Sequence, residues 1–334
     1  MQNSLVPHPV QIHPVPLDAW EASATGVPWV QERVAPVPGP DVLITALVHG
    51  NEYAGALVLD ELLRSGLGPR RGRITVVFCN MAAYGRFDPA EPDASRYVCE
   101  DFNRLWSPQV LDAPPMGVER QRAQAIRPFV DRATHLLDLH SMHEPGAPVL
   151  ITGALPRNVA LAQRLGSGAQ VVMDRGHADG VRMRDYAGFG EPASEKLALL
   201  LEAGQHWQRS AIQTTRNVLM RFLVSVGSLD RADIPSGWLQ PDVVSSPLVA
   251  VTHRVVARTM DFEFVQDYRG GELIHRAGTT IARDGQALVA TPYDDCILVM
   301  PSVRQLRPGV TTVRFGRMLS EPLRGQPVPV VHCG

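Results

Sequence analysis

Apolar residues are distributed along this chain in two alternating rhythms. Compact, β-branched apolar runs at 41–48, 73–80, 135–140, 148–152, 170–173 and 196–202 read as strands, most of them buried on both faces. Between them, residues 53–63, 117–133, 156–165 and 208–226 carry apolar positions at helical spacing. Strand then helix, repeated, predicts an α/β fold with helices on both faces of a mostly parallel sheet. Eight prolines in the first 40 residues predict extended edge segments or loops before the first clear strand at Asp41. Between Ile234 and Pro247 the pattern breaks into Pro235, Ser236, Gly237, Pro241, Ser245, Ser246 and Pro247, as expected of a linker. Beyond it, short β-type runs at 251–256, 279–282, 286–290 and 296–300 alternate with the turns Gly270-Gly271, Asp284-Gly285 and Asp294-Asp295. The expectation is an α/β domain over 1–240 and a smaller all-β domain, without helices, over 248–334.

Composition narrows the partners. With 334 residues, 45% of them hydrophobic, the chain can bury a full core and support one large domain plus a smaller one. A formal net charge of −2 provides no basic field for nucleic acid or anionic lipid, so a small-molecule partner is expected, with no nucleic acid and no membrane. Cys79, Cys99, Cys296 and Cys333 show no CxxC spacing and are too sparse for a disulfide framework, which fits a reducing, cytoplasmic setting. Met1 to Leu17 lacks the charged and apolar regions of a signal peptide, and no segment has the ~18 apolar residues that a bilayer span requires. A homo-oligomer stays open.

The candidate chemistry sits at strand ends. In Ala46-Leu47-Val48-His49-Gly50-Asn51-Glu52 an imidazole and a carboxylate lie three residues apart where a strand gives way to a helix, a pair able to grip one metal ion. Ligands at the carboxyl ends of strands lie where open α/β sheets build their sites. Catalytic zinc usually takes three protein ligands and keeps a position for water, and the best third candidate is His140, which ends the apolar run from His135. Arg96, Asp101, Asn103 and Arg104 concentrate guanidinium, amide and carboxylate groups in one segment, as suits an anionic substrate and a carbonyl that gains negative charge. Glu202 ends the apolar run Leu200-Leu201 and is placed to take a proton from metal-activated water and return it to a leaving nitrogen.

Taken singly, each feature has a plain structural alternative. His49 to Glu52 could be a turn with Asn51 capping the next helix, His140 a satisfied strand-end histidine, and Asp101 to Arg104 a solvated loop. His143 reads as a neighbour of His140 and not a ligand. Arg182, Arg184 and Tyr186 read equally as a surface loop or a substrate lid, and His8, His13 and His177 as ordinary surface residues.

His49-Gly50-Asn51-Glu52, Asp101-Phe102-Asn103-Arg104, Asp138-Leu139-His140 and Glu202-Ala203-Gly204, in that order and approximate spacing, resemble the succinylglutamate desuccinylase/aspartoacylase family, which is related to the zinc carboxypeptidases. The resemblance is strong over residues 41 to 206 and looser in the β-rich tail. It implies a three-layer carboxypeptidase-like domain with a mostly parallel mixed sheet. It also implies one Zn2+ per chain held by His49, Glu52 and His140, with Glu202 as general base. By the same resemblance Arg96 polarises the scissile carbonyl, and Asn103 and Arg104 hold a substrate carboxylate. Asp101 accepts the far ring N–H of His49. Arg184 and Tyr186 are further substrate-binding candidates. The chain departs from the pattern at Gln205-His206-Trp207, where aspartoacylases usually carry a proline, and Tyr293 matches the family's site tyrosine poorly. The implied activity is hydrolysis of a small N-acyl amino acid. The alternatives are a carboxypeptidase acting on short peptides and a ligand-binding protein without catalysis.

Overall fold

The computed structural model describes residues 8–176, 179–243 and 246–319; His177 and Cys333 lie outside them. The strands are β1 (Val30–Val34), β2 (Asp41–Ala46), β3 (Arg73–Phe78), β4 (His135–Met142), β5 (Val149–Ile151), β6 (Gln170–Met173) and β7 (Leu197–Gln205). After residue 247 come β8 (Leu248–Val256), β9 (Phe262–Phe264), β10 (Glu272–Ile274), β11 (Thr280–Asp284), β12 (Ala287–Ala290), β13 (Cys296–Val299) and β14 (Thr311–Leu319). The helices are α1 (Tyr53–Arg64), α2 (Met81–Tyr84), α3 (Pro108–Leu111), α4 (Val118–Arg132), α5 (Pro156–Arg164) and α6 (Arg209–Ser225).

One sheet of eleven strands runs β1-β3-β2-β4-β7-β5-β6-β8-β14-β13-β10. β3, β2, β4 and β7 are mutually parallel, β1 runs against β3 and β5 against β7, and β5, β6 and β8 are again parallel to one another, so the sheet is mixed but mostly parallel up to β8. Side chains alternate across it. Ile44, Val76, Leu137, Leu199 and Leu201 face Leu59 and Leu62 of α1, Leu161 of α5 and Leu219 and Phe222 of α6. Leu43, Val77, Leu136 and Ala198 face the opposite way, onto Ile126, Phe129 and Val130 of α4. The period-two alternation of apolar residues on strands, matched on each face to a helical stripe, produces the three layers. The proline-rich start of the chain leads into edge strand β1, antiparallel to β3.

Antiparallel pairing takes over beyond residue 247, with β8, β14, β13 and β10 in series and a separate three-stranded sheet β12-β11-β9. No helix occurs in this region among the described residues. Its core is Phe262, Ile281, Leu298, Val313 and Phe315. β8 also pairs in parallel with β6, so this region continues the large sheet across the start of the proposed second domain. Val149, Ile151, Leu200, Val249, Ile297 and Val299 form a small cluster that ties the two halves together. β14, absent from the sequence-based strands, is interrupted by Arg314, Gly316 and Arg317, which hide its alternation; Gly316 is required because a Cβ there would lie 2.5 Å from Val249 Cγ1.

Two local features prepare the site. β2 ends at Ala46, and Leu47 adopts φ 58°, a left-handed conformation that turns the chain toward α1 and costs a bulky residue on the order of 1–2 kcal/mol. Gly50 then passes so close to two neighbouring segments that a Cβ would lie 2.5 Å from Ala83 C and 2.6 Å from Tyr84 N, and would also strike Ser95 O. All three are backbone atoms and cannot swing aside. Gly50→Ala should therefore lower unfolding stability by about 1–3 kcal/mol, read as a shifted denaturant midpoint. An unchanged midpoint would show that this close approach is not a constraint.

Candidate functional site

The carboxyl ends of β2, β4 and β7 lie side by side, with Thr45 opposite Asp138 and His140 opposite Glu202. Register alone thus brings a residue of β7 next to one lying 62 positions earlier in β4. Glu52 stands at the N-terminus of α1, where the helix dipole favours a negative charge. Its carboxylate faces two imidazoles: Oε1 is 2.8 Å from His49 Nδ1 and Oε2 is 2.9 Å from His140 Nδ1. The Ser141 backbone N–H donates to Oε2 at 3.2 Å, and Arg96 Nη1 donates to Oε1 at 3.3 Å.

The far nitrogens of both rings are held as well. His49 Nε2 lies 3.0 Å from Asp101 Oδ1 and His140 Nε2 lies 2.9 Å from Asp138 Oδ2. Asp138 in turn accepts from Thr45 Oγ1 at 2.6 Å. A carboxylate on the Nε2 side of each ring can hold a proton there, so that Nδ1, which faces Glu52, can give up its own proton and offer a lone pair to a cation. Asp138 was legible in principle, because residues 138 and 140 of one strand share a face. One ligand atom each from His49, Glu52 and His140 lies within 4.8 Å of the others, and all three residues are buried. Two imidazole nitrogens and a carboxylate oxygen, oriented from behind, fit a borderline divalent ion such as zinc.

Electrostatics agree with the geometry. Burial pushes the Glu52 carboxyl up, but the charges and hydrogen bonds of His49 and His140 overcome it and hold the group well below the usual carboxylate range. His140 is disfavoured as a cation by burial, yet Asp138 and Glu52 raise it well above an ordinary histidine. Glu202 is different. Burial, with Glu52 nearby, pushes it up to about 8 against the opposing pull of His140, Arg96 and Arg314, and its Oε2 is buried without a hydrogen-bond partner among the described residues.

The loop carrying the anion-binding candidates is pinned by Phe102 and Trp106, both fully buried, their ring centroids 6.0 Å apart. Asp101 Oδ1 caps the short turn Phe102–Arg104 by accepting from Asn103 N at 2.9 Å. Arg96 Nη2 is 3.6 Å from Asp101 Oδ2. Asn103 Oδ1 accepts from Met183 N at 3.0 Å, and Arg104 lies 3.3 Å from Asp179.

His49, Glu52, Arg96, Asp101, Asn103, Arg104, His140 and Glu202 all line one cleft, which encloses about 1130 Å³ including its open mouth. Arg184 and Tyr186 do not. Arg184 is buried beneath Gly153, donating to Thr152 O at 2.8 Å and Ala198 O at 3.2 Å and pairing with Asp185. Tyr186 packs against Trp106, and its hydroxyl accepts from Arg127 Nε at 2.8 Å. The structure does not bring these two candidates into the cleft lining: the Arg184 Nη atoms and the Tyr186 hydroxyl bond elsewhere. Arg182, from the same segment, lines it instead, donating to Asp185 at 2.7 Å and bracing against Asp174. Tyr293 lies in the β-rich region against Thr252, outside the cleft wall.

Other lining groups are not legible as site residues in the sequence: Ser141 and His143 beyond β4, and Ser302, Gln305, Arg307 and Arg314 from the β-rich region. His206 is fully buried behind the wall, and burial, reinforced by His143, lowers its basicity well below that of an ordinary histidine. His8, expected as a plain surface residue, lies 2.7 Å from Glu144 on the cleft rim.

The model of the succinylglutamate desuccinylase/aspartoacylase catalytic domain matches residues 38–225. The chain belongs to this family. A succinylglutamate desuccinylase of Paraburkholderia xenovorans is 27% identical over 325 residues, covering 90% of this chain and 87% of that protein. The succinylglutamate desuccinylase structure from Chromobacterium violaceum shares 21% identity at TM-score 0.63, over 89% of this chain and 90% of that one. A product-bound ectoine utilization protein from Ruegeria pomeroyi shares 20% identity at TM-score 0.58, over 86% and 87%. These last two likenesses establish the fold. The family is one of amide-bond hydrolases that remove acyl groups. Among the described residues no helix is long and apolar enough to cross a membrane.

Two consequences can be measured. Because Asp138 and Glu52 favour a proton on His140, a cation must displace that proton to use Nδ1. Metal affinity should fall as pH falls, with net proton release on binding, read by titration calorimetry in buffers of different ionisation enthalpy; pH-independent binding without release would contradict the site. Asp138→Asn should weaken metal retention about 10- to 100-fold in chelator competition, and wild-type retention would remove Asp138 from that role.

Proposed function

We propose that the protein is a zinc-dependent deacylase that hydrolyses the amide bond of a small N-acyl amino acid. The observation that carries this reading is the convergence of His49, Glu52 and His140 on one point, with the unpartnered Oε2 of Glu202 on the adjoining strand. One zinc ion per chain, when bound, would supply Lewis-acid polarisation and lower the pKa of a water.

The chain's own residues do the rest. Glu202, raised by burial, is basic enough to take a proton from the attacking water and then acidic enough to give it to the departing nitrogen. Arg96, clamped between Glu52 and Asp101, is placed to meet the charge that develops on the carbonyl oxygen. Asn103 and Arg104 face the cleft as a site for a substrate carboxylate, and Arg307 lines it as a further cation. The name of the Paraburkholderia relative, a desuccinylase acting on an acylated amino acid, supports an anionic substrate of this kind.

Substrate length is limited by the wall contributed from the β-rich region at Gly270, Met300, Ser302, Gln305 and Arg307, which favours a compact N-acyl amino acid over a peptide threaded through an open groove. The expected result of a turnover screen is therefore hydrolysis of N-acetyl and N-succinyl amino acids with little action on dipeptides and longer peptides. The reverse preference would establish the carboxypeptidase reading instead. Glu202→Gln should lower kcat by about 10²- to 10⁴-fold while elemental analysis shows metal content unchanged. In the wild type kcat/KM should rise with pH as Glu202 loses its proton, and that limb should vanish in the variant. Full activity in Glu202→Gln would refute this mechanism.

A further inference from the structure

From the cleft lining into the wall behind it, four side chains that the hydrolytic scheme does not use, Asp93, His143, His206 and Ser141, form a chain with a fixed direction. His143 Nδ1 lies 3.4 Å from Asp93 Oδ1 and 3.2 Å from His206 Nε2; His206 Nδ1 lies 2.8 Å from Ser141 Oγ. Ser141 and His143 line the cleft, whereas His206 is wholly buried.

The proton positions follow from what each atom faces. A bare lone pair on His143 Nδ1 would face both the negative charge of Asp93, 3.4 Å away, and a second imidazole nitrogen, so Nδ1 carries a proton and gives it to His206 Nε2, while Asp93 Oδ1 accepts no hydrogen bond among the described residues. His206 Nε2 then accepts, which leaves it unprotonated. Neither nitrogen of that buried ring faces a carboxylate, and a neutral imidazole with a bare Nε2 must carry its proton on Nδ1. His206 Nδ1–H therefore donates to Ser141 Oγ. Having accepted there, the Ser141 hydroxyl keeps its own proton for a further partner, and Oγ has no second partner among the described residues.

Backbone geometry holds this arrangement in place. β4 and β7 are in register at His140 and Glu202, then slip so that Met142 faces Gln205: β7 advances three residues while β4 advances two. Gly204, at φ 112°, takes up this bulge, and His206 N donates to Met142 O at 2.9 Å immediately beyond it. The slip sets the His206 ring against Ser141, whose own backbone N–H holds Glu52. His206 also stands in the segment that departs from the aspartoacylase pattern.

We propose that His206 is a positioning residue that aims the Ser141 hydroxyl proton into the cleft, making Ser141 a neutral hydrogen-bond donor to a carbonyl or carboxylate oxygen of the bound substrate. This rests on the deacylase reading. It adds a specificity contact beside the metal ligands that carries no charge and is absent from the arginine set.

The test uses the metal-loaded enzyme and the N-acyl amino acid it turns over fastest. Ser141→Ala should raise KM about tenfold with kcat lowered less than about threefold, the loss of one neutral hydrogen bond. His206→Gln, which cannot reach Ser141 with the same N–H, should do the same, and the double variant should be no worse than either single one. His206→Asn returns an N–H near the Nδ1 position and should recover part of the lost affinity. Additive losses, or Ser141→Ala with wild-type KM, would overturn the proposal. Independently of turnover, ¹⁵N-histidine NMR of the wild-type holoprotein should show His206 neutral and protonated on Nδ1; protonation on Nε2, or on both nitrogens, overturns it. A wild type without deacylase activity would overturn the functional reading, while the NMR tautomer would still decide the direction of the chain.

Discussion

The Glu52 carboxylate, bridging the Nδ1 atoms of His49 and His140, is the interaction on which the rest of this site depends. A carboxylate buried this deeply is costly unless opposite charge and hydrogen bonds surround it. Here the surroundings are two imidazoles, the Arg96 guanidinium, the Ser141 N–H and the positive end of α1. Each comes from a different part of the chain, so the site exists only if β2, β4, the 92–104 loop and α1 take their places together. The left-handed turn at Leu47 and the close approach at Gly50 are the local strains that permit it. The four carboxylates around the centre differ by environment: Asp101 and Asp138 hold the rings, Glu52 sits among cations, and Glu202, whose Oε2 has no hydrogen-bond partner among the described residues, is raised by burial.

Much of this was legible in the sequence because strand ends are legible. His49 follows an apolar run, and His140 and Glu202 lie where such runs meet a polar neighbour; parallel strands with helices between them must bring those ends to one edge of the sheet. The loop of Arg96, Asp101, Asn103 and Arg104, all of which line the cleft, was legible through their spacing and through the family resemblance. What failed to show was set by tertiary contact. Arg182 and Arg184 are two residues apart in a segment without periodicity, and nothing local says that one reaches the cleft while the other is buried under Gly153. Arg314 lies on a strand whose alternation is broken by Gly316, a glycine explained only by the Val249 side chain across the sheet.

The β-rich region is therefore part of the site and not an appendage. β8 extends the catalytic sheet by pairing with β6, and the small cluster around Leu200, Val249 and Ile297 fixes the angle at which the following strands and loops lean over the cleft. Its arginines reach the same space as Glu202, and its loops around Met300 and Gln305 wall the cleft. The bulge at Gly204 acts on the other wall, bringing His206 to within 2.8 Å of Ser141 Oγ just beyond Glu202.

X-ray absorption at the zinc edge of the purified, metal-loaded protein tests the central claim most directly. The account predicts one zinc per chain in a shell of nitrogen and oxygen ligands at about 2.0–2.2 Å, with the outer-shell scattering of two imidazoles and no sulfur. Substoichiometric metal that added zinc does not restore, or a shell containing sulfur or a single imidazole, would contradict the convergence of His49, Glu52 and His140 on one ion.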